Sequence, residues 1–564
     1  MPEIITRDRD PAAFDALIKA NVDPRMARLY AARAITGAAD LNNELNALLP
    51  PTQLAHIHDA AIFLANAIAA GKRLLIVADY DADGATACAV GMRALAAMGA
   101  KVEFIVPNRF EYGYGLTPEI VALAAQRDPH IIITVDNGIA SVDGVAEANR
   151  RGIEVLVTDH HLPGHALPAA SVIVNPNQAG DEFASKSLAG VGVIFYIMLA
   201  LRAELRSRQH FAGKSEPNLA DLLDLVALGT VADVVRLDHN NRVLVEQGLE
   251  RMRAGHVGRV NRGMRALMQV AGRDPARAST YDLGFMVGPR LNAAGRLTDM
   301  ALGIDCLLAD NDNVALELAL RLDQLNRERR TIEAGMKEAA MVALEEVDVG
   351  NRYSLSMFDR AWHQGVVGIL ASRIREKYHR PVIAFASDGS GNLKGSGRSI
   401  KGFHIRDALD LVTKHEPQLI AKFGGHAMAA GLTIAESALA DFAKAFEVVA
   451  RSLLTPADLA ERIETDGTLN AGELDFDFVS AIDAQVWGQG FVSPSFIGAF
   501  KVVDQRVVGE KHLKLKLKMG SSVFEAMRFG SANFLNTSID AVFRPSINEF
   551  RGNRTMQLVL DYVA

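Results

Sequence analysis

Three carboxylates fall within five residues at Asp79-Tyr80-Asp81-Ala82-Asp83-Gly84, and two more sites of the same kind follow at Asp136-Asn137-Gly138 and at Asp159-His160-His161. Asp233, in Leu228-Gly229-Thr230-Val231-Ala232-Asp233-Val234-Val235, offers a further carboxylate. Oxygen-rich ligation with two imidazoles suits Mn²⁺ or Mg²⁺ better than a thiolate-loving ion. The set exceeds what one octahedral ion requires, so the count points to two ions. Two metals about 3.5–4 Å apart clamp an in-line phosphoryl displacement by activating water and stabilising the leaving oxygen. Phosphoester hydrolysis is therefore the favoured reaction. Clustered carboxylates need cations to offset their mutual repulsion, which fits a site poorly organised without metal.

Other readings of these residues are weaker. Asp-x-Asp-x-Asp-Gly matches the first half of a calcium-binding loop, but that loop needs Glu at its twelfth position and Val90 stands there. Capping of the following helix suits Asp83 alone and leaves the other carboxylates unexplained. A single histidine near a strand end is more often structural than ligating, whereas adjacent histidines behind an aspartate reverse those odds.

The elements that must position this chemistry are apolar runs. Arg73–Ala78 precedes Asp79, His130–Val135 precedes Asp136, and Glu154–Thr158 precedes Asp159. Continuous apolar strands alternating with helices mean a parallel sheet covered on both faces, and ligands bind outside the carboxyl ends of such strands. The pattern predicts an α/β fold with strands near 73–78, 102–106, 131–135, 154–158 and 171–174. Residues 1–50 read as a separate N-terminal segment, 51–305 as the catalytic domain and 306–350 as a connecting helix of roughly 50 Å. A second α/β lobe spans 351–454, and 455–564 reads as a β-barrel. Period-2 alternation puts Lys514, Lys516 and Lys518 on one barrel face, where they would track a nucleic-acid backbone or simply stand in solvent.

With 564 residues, 49% hydrophobic and 23% charged, the chain is an ordinary multidomain protein and not a disordered one. Cys88 and Cys306 are too few for a disulfide framework and point to a reducing compartment. The N-terminus lacks a secretory pattern and no stretch reaches membrane length, so a cytoplasmic location is expected. The net charge of −7 leaves local patches to decide about nucleic acid. Between Arg251 and Arg273 six arginines and one histidine occur with no acidic residue, a run able to face phosphates or to form a solvated loop.

Asp79–Gly84, Val135–Gly138, Thr158–His161 and Gly229–Asp233 together resemble the four motifs of the DHH phosphoesterase family. Gly288–Leu297, Trp362–Gly368, Gly395–Ser399 and Gly424–Gly431 further resemble the branch of that family formed by bacterial single-strand-specific 5′→3′ DNA exonucleases, from about residue 25 onward. The resemblance implies a DHH domain and a DHHA1-type lobe joined by the long helix, an oligonucleotide-binding (OB) barrel, and a cleft between lobes that admits one strand. It implies a metal-dependent exonuclease of DNA repair and recombination that removes nucleotides from the 5′ end, with single-strand-binding protein and a helicase as partners. The chain would act as a monomer.

On that basis Asp81, Asp83, Asp136, His160, His161 and Asp233 would share two ions, Mn²⁺ or Mg²⁺. Asp79 and Asp159 would hold ligands or water in place, and Asp79, Asp159, His160 and His161 form the expected catalytic group. The resemblance also suggests a pocket for the 5′ end at Arg290, Asn292 and Arg296. Ser396 and Arg398 could grip a phosphate or sit in a tight turn. His426, after two glycines, could reach substrate, or Ala427–Gly431 could pack as helix. Rivals are a DHH enzyme for pyrophosphate or short oligonucleotides, against which the barrel counts, and a non-catalytic DNA-binding scaffold, against which the intact ligand set counts.

Overall fold

Five apolar runs pair as a parallel sheet in the order Lys101–Ile105, Arg73–Ala78, Ile131–Val135, Glu154–Thr158, Val172–Val174, close to the strands read from the sequence. This is a computed structural model, and it describes residues 2–108, 112, 115–164, 166–254, 260–345, 349–550 and 553–564. The chain divides into two units, Thr6–Leu325 with Thr465–Ala564, and Met1–Ile5 with Asn326–Glu464. The parallel sheet lies in the first, larger unit.

Alternation along its strands fills two cores. Leu74, Ile76, Ala78, Ile131 and Ile133 face one side with buried residues of the helices Ile57–Ala69, Ala82–Ala97 and Gly190–Ser207. Leu75, Val77, Ile132, Val155 and Val157 face the other, against Pro118–Ala125 and Val142–Arg150. Each fully buried Val, Leu or Ile contributes about 1.5–3 kcal/mol relative to exposure, so the strand ends are held by a stiff core. The strand order reverses between Arg73–Ala78 and Ile131–Val135, which opens the crevice where such sheets bind ligands.

The first fifty residues, read from the sequence as a separate segment, are built into the larger unit from Thr6 on. Pro11–Lys19 and Pro24–Ala31 are capped by Asp10 and Asp23, and Leu17, Leu29 and Tyr30 join the same core as the sheet. Helices of eight or nine residues are marginal alone, so they form by burying these side chains. Arg33 pairs in a buried fork with Asp466, 2.7 and 2.8 Å.

The long helix runs Asp312–Glu345, 34 residues, about 50 Å at 1.5 Å per residue. It starts later than expected because Asn311 caps it, accepting from the amides of Asn313 and Val314, while Cys306 belongs to the preceding helix Ala301–Leu308. The division between units falls within it. Beyond it, the smaller unit carries a mixed sheet ordered Lys422–Gly425, Ala429–Ala435, Asn392–Arg398, Val382–Ser387, Leu355–Phe358. A two-stranded ribbon pairs Glu3–Thr6 with Arg462–Thr465.

In the larger unit, Phe496–Val508, His512–Met519, Ser522–Arg528, Asn553–Val563 and Ser538–Phe550 close into a barrel. Leu513, Leu515 and Leu517 are buried in it while Lys516 and Lys518 are exposed and Lys514 is half-buried, 3.0 Å from Glu525. Among the described residues no helix is long and apolar enough to cross a membrane.

Candidate metal centre

Asp79, Asp136 and Asp159 stand level because each donates its backbone N–H to the end of the neighbouring strand: to Val135 O at 3.3 Å, Thr158 O at 3.1 Å and Val174 O at 3.2 Å. The sheet thus delivers three carboxylates to one edge, and all three are buried. Asn137 ties two strand ends together by donating to Val77 O (3.2 Å) and Val135 O (2.9 Å). Asp136 itself has φ of 62°, a left-handed conformation uncommon for a non-glycine residue and found in strained functional sites.

The remaining ligand candidates are fixed by amides. Asp81 caps the helix Ala82–Ala97, its Oδ1 accepting from Asp83 N (2.9 Å) and Gly84 N (3.0 Å). Asp83 accepts from Gly190 N (2.7 Å) and Val191 N (2.8 Å) at the start of the helix Gly190–Ser207, a terminus that favours negative charge. Glycines make room: a Cβ on Gly190 would lie 2.7 Å from Asp136 Oδ1, and one on Gly229 would lie 2.2 Å from Thr86 Oγ1 and 3.0 Å from Asp83 Oδ1.

Asp159 organises the histidine pair. Its Oδ1 accepts from His160 N (2.7 Å), His161 N (3.0 Å) and His161 Nδ1 (2.7 Å), and its Oδ2 from Ile139 N (2.9 Å). Burial pushes this carboxyl up, but the hydrogen bond from His161 and its charge hold it below the usual range. An ionised carboxylate can only accept, so His161 Nδ1 is the donor. Burial works against a charged His161, yet Asp159 raises it to about 9. The histidine carbonyls are held as well, His161 O by Asn175 (2.9 Å) and His160 O by Asn177 (2.6 Å).

Side chains from all these elements converge. His160 Nε2 lies 3.1 Å from Asp136 Oδ1, 3.5 Å from Asp233 Oδ2 and 3.9 Å from Asp83 Oδ2, yet it is buried and makes no hydrogen bond of good geometry. Three groups of donor atoms lie within 4.8 Å of one another: Asp136, His160 and His161; Asp83, His160 and Asp233; Asp79, Asp81 and Asp136. Asp136 and His160 each belong to two groups, as residues between a pair of ions would.

The electrostatics match a cation site. Burial, then Asp233, pushes Asp83 up to about 7. Burial, then Asp81, pushes Asp233 up to about 7. Burial and the surrounding aspartates raise Asp136 well above the carboxylate range, and burial with His161 lowers His160. Repelling carboxylates around a buried imidazole nitrogen are what a divalent cation satisfies, so the residues present fit the metal chemistry.

The substrate residues named from the sequence divide between the units. In the larger one, Arg290 is buried and engaged, its guanidinium 2.9 Å from Asp323 on the long helix. Asn292 Oδ1 accepts from Ala82 N at 2.7 Å, so it braces the loop between Asp81 and Asp83. The expected pocket for the 5′ end at these residues therefore starts from side chains that already have partners within the protein. Gly295 lies so close that an added Cβ would sit 1.9 Å from Tyr80 O. Arg296 is half-buried on the same helix, Gly288–Leu297.

In the smaller unit Gly395–Arg398 is strand, not a tight turn. A Cβ on Gly395 would come 2.6 Å from Leu432 Cδ2 and Phe385 Cε1, so these glycines admit core side chains. Ser396 and Arg398 share one face, Arg398 Nη1 donating to Ser396 Oγ at 3.1 Å. Both face Gly368 at the start of the helix Val367–Tyr378, where a Cβ would lie 2.9 Å from Ser396 Oγ. Burial and the neighbouring Arg375 lower Arg398, and among the described residues no carboxylate pairs with it. His426 is exposed on the tight connection between Lys422–Gly425 and Ala429–Ala435, so Ala427–Gly431 is hairpin and not helix.

The basic run is largely neutralised. Arg251 pairs with Asp221, Arg253 with Glu246 (3.3 Å), Arg262 and Arg265 with Asp312 (3.2 and 2.6 Å), and Arg273 with Asp282. His256 and Arg259 lie outside the described residues. Sequence reasoning missed the amides of Gly190 and Val191, and it missed Asn175 and Asn177. The Asn175-Pro176-Asn177 group after the strand Val172–Val174 was the available signal, a fourth strand end carrying polar side chains.

Three family models match the chain: the DHH family N-terminal domain over residues 73–230, the DHHA1 domain over 350–452 and the RecJ OB domain over 465–562. The chain is 47% identical to the single-stranded-DNA-specific exonuclease RecJ of Salmonella typhimurium, covering 98% of each. It is 46% identical to the Escherichia coli protein of the same name, covering 97% of this chain and 96% of the other. The crystal structure of RecJ in complex with Mn²⁺ from Thermus thermophilus superposes with a TM-score of 0.83 at 29% identity, covering 100% of this chain and 79% of that one. A Mg²⁺ complex of RecJ from the same organism superposes with a TM-score of 0.77 at 27% identity, covering 100% of this chain and 78% of that one.

Proposed function

From the premise that the chain belongs to the RecJ family of single-stranded-DNA-specific exonucleases, we propose that it hydrolyses single-stranded DNA from the 5′ end with Mn²⁺ or Mg²⁺. The observation that carries this is the meeting of Asp79, Asp81, Asp83, Asp136, His160, His161 and Asp233 in three interlocking donor groups at the switch point of the sheet. Asp81, Asp83, Asp136, His160, His161 and Asp233 hold two ions, while Asp79 and Asp159 orient ligands and water. When bound, the ions supply charge neutralisation and activation of the attacking water. The chain's own work is positional. Gly190 and Val191 amides fix Asp83, Asn292 fixes the loop at Ala82, and Asp159 holds both histidines.

Ser396 and Arg398 take the terminal 5′ phosphate, which gives the reaction its polarity; a partly buried guanidinium with no carboxylate partner among the described residues supports this. Arg296 and His426 contribute substrate contacts in the same proposal. The reading extends to a cytoplasmic monomer acting in repair and recombination with single-strand-binding protein and a helicase; two free, buried cysteines accord with a reducing compartment.

One assay tests the function. The full chain is incubated with Mn²⁺ or Mg²⁺ and 3′-labelled single-stranded DNA, duplex DNA or pyrophosphate. Stepwise shortening of the single strand alone is expected. Cleavage of pyrophosphate alone, or binding without cleavage, overturns the proposal.

A further inference from the structure

Two large aromatic rings stand in the open on the segment that leads into the helix Gly288–Leu297. Tyr281 is 55% exposed and Phe285 is 65% exposed. Their centroids are 5.2 Å apart with planes 26° from parallel, so they stack on each other while more than half of each stays in solvent. The segment Asp282–Val287 is π-helical, a rare wide turn that is frequent at functional sites.

The mount under the rings is rigid. Asp282 is buried, accepts from Ser279 N (3.0 Å) and Ser279 Oγ (2.8 Å), and pairs with Arg273. Thr280 Oγ1 donates to Trp487 O at 2.8 Å, and Leu283 and Val287 are buried. Folding has thus fixed two aromatic rings outside the core, with most of their surface left in solvent. On its inner side the segment is pressed against the residues leading to Asp233: a Cβ on Gly284 would meet Val231 Cγ1 at 3.2 Å, and one on Gly288 would meet Ala232 Cβ at 3.1 Å. Cations border the rings. The Arg273 guanidinium lies 5.8 Å from the Tyr281 centroid, and Arg544, on the barrel strand Ser538–Phe550, is within electrostatic reach of Tyr281.

We propose that Tyr281 and Phe285 form a stacking platform for nucleobases of the single strand beside the Asp233 edge of the metal centre. This rests on the reading of the chain as a single-strand nuclease and adds to it a contact with bases, where the other substrate groups address phosphates. Every base has a π-face, so the contact is independent of sequence. A folded protein partner is disfavoured, because two rings are far short of the roughly 1,000 Å² that a specific interface requires.

The test uses the full chain, Ca²⁺ in place of Mn²⁺ to slow turnover, and two probes read by fluorescence anisotropy: a 3′-labelled oligodeoxythymidylate, and the same backbone with a run of abasic sites. The variants are Tyr281→Ala with Phe285→Ala, Phe285→Leu to keep apolar bulk without a π-face, and Phe285→Trp to keep the π-face. Thermal melting reports their folding. The Ala pair is expected to bind the thymidylate about tenfold or more weaker, given the usual worth of base–aromatic stacking. Leu should fall with it and Trp should retain affinity. The wild type should prefer thymidylate over abasic DNA, and the Ala pair should lose that preference. Equal binding by all variants, or equal weakening toward both probes, overturns the platform. If the wild type fails to shorten single-stranded DNA with Mn²⁺, the functional reading itself fails, a different result from loss of the platform alone.

Discussion

The strand-end site of the larger unit and the Ser396–Arg398 pair of the smaller one pose opposite electrostatic problems. The first gathers six aspartates and two histidines where burial and mutual repulsion drive Asp83 and Asp233 up to about 7. The second holds a guanidinium lowered by burial and by Arg375, with no carboxylate beside it among the described residues. The surplus charge is left standing in both, although the same chain neutralises its basic run with Asp221, Asp312 and Asp282. An unbalanced charge inside a fold that balances charges elsewhere marks a place awaiting a ligand: a cation in one case, an anion in the other.

Breaking the anionic side should have the largest effect. Asp136→Ala, which removes the carboxylate common to two donor groups, is expected to lower kcat on single-stranded DNA by about 10³-fold or more, with the melting curve in EDTA little changed. Near-normal turnover would refute the scheme. Chelation should act on the same side. EDTA is expected to abolish hydrolysis and lower the melting temperature, and Mn²⁺ at a hundred times its Kd should return about 2.7 kcal/mol of stability, measured by thermal scans with and without metal. Asp159→Asn keeps the shape but weakens the hold on both histidines. A loss of about 10–100-fold in Mn²⁺ affinity, followed by calorimetry, is expected.

The cationic side is sharper than it is strong. Arg398→Ala should raise KM for 5′-phosphorylated single strands by about tenfold, the worth of a charge-assisted hydrogen bond, and leave 5′-hydroxyl strands unaffected. Equal effects on both substrates would mean Arg398 does not read the phosphate. The smallest effect is expected at Asn292→Ala. Loss of one neutral bond to Ala82 N, worth about 0.5–1.5 kcal/mol, should weaken Mn²⁺ binding a few-fold without altering discrimination between 5′ ends.

What the sequence disclosed follows from what is local. An apolar run ending in Asp is visible in a single line of residues, so Asp79, Asp136 and Asp159 and their strands were legible. The partners of Arg290 and Asn292 were not, because Asp323 and the Ala82 amide lie far from them in the chain. The acids paired with the run from Arg251 to Arg273 were hidden for the same reason: they come from residues 221, 246, 282 and 312. Gly395 and Gly397 suggested a turn, but in the fold they yield space to Phe385, Leu432 and Ile405. The first fifty residues suggested a module because their apolar positions, spaced for helices, do not announce the core they enter.

The ribbon joining Glu3–Thr6 to Arg462–Thr465 sets a schedule. At about 5–20 residues per second of synthesis, the strand Glu3–Thr6 waits roughly 20–90 s for its partner to be made. The ribbon therefore closes after the metal-binding sheet has had time to assemble and before the barrel strands are made. An extended strand still lacking its partner is meanwhile open to pairing with other chains. One charged pair crosses the ribbon, Glu3 with Arg462 at 3.0 Å, and gives the late partner a charge match that a stray strand lacks.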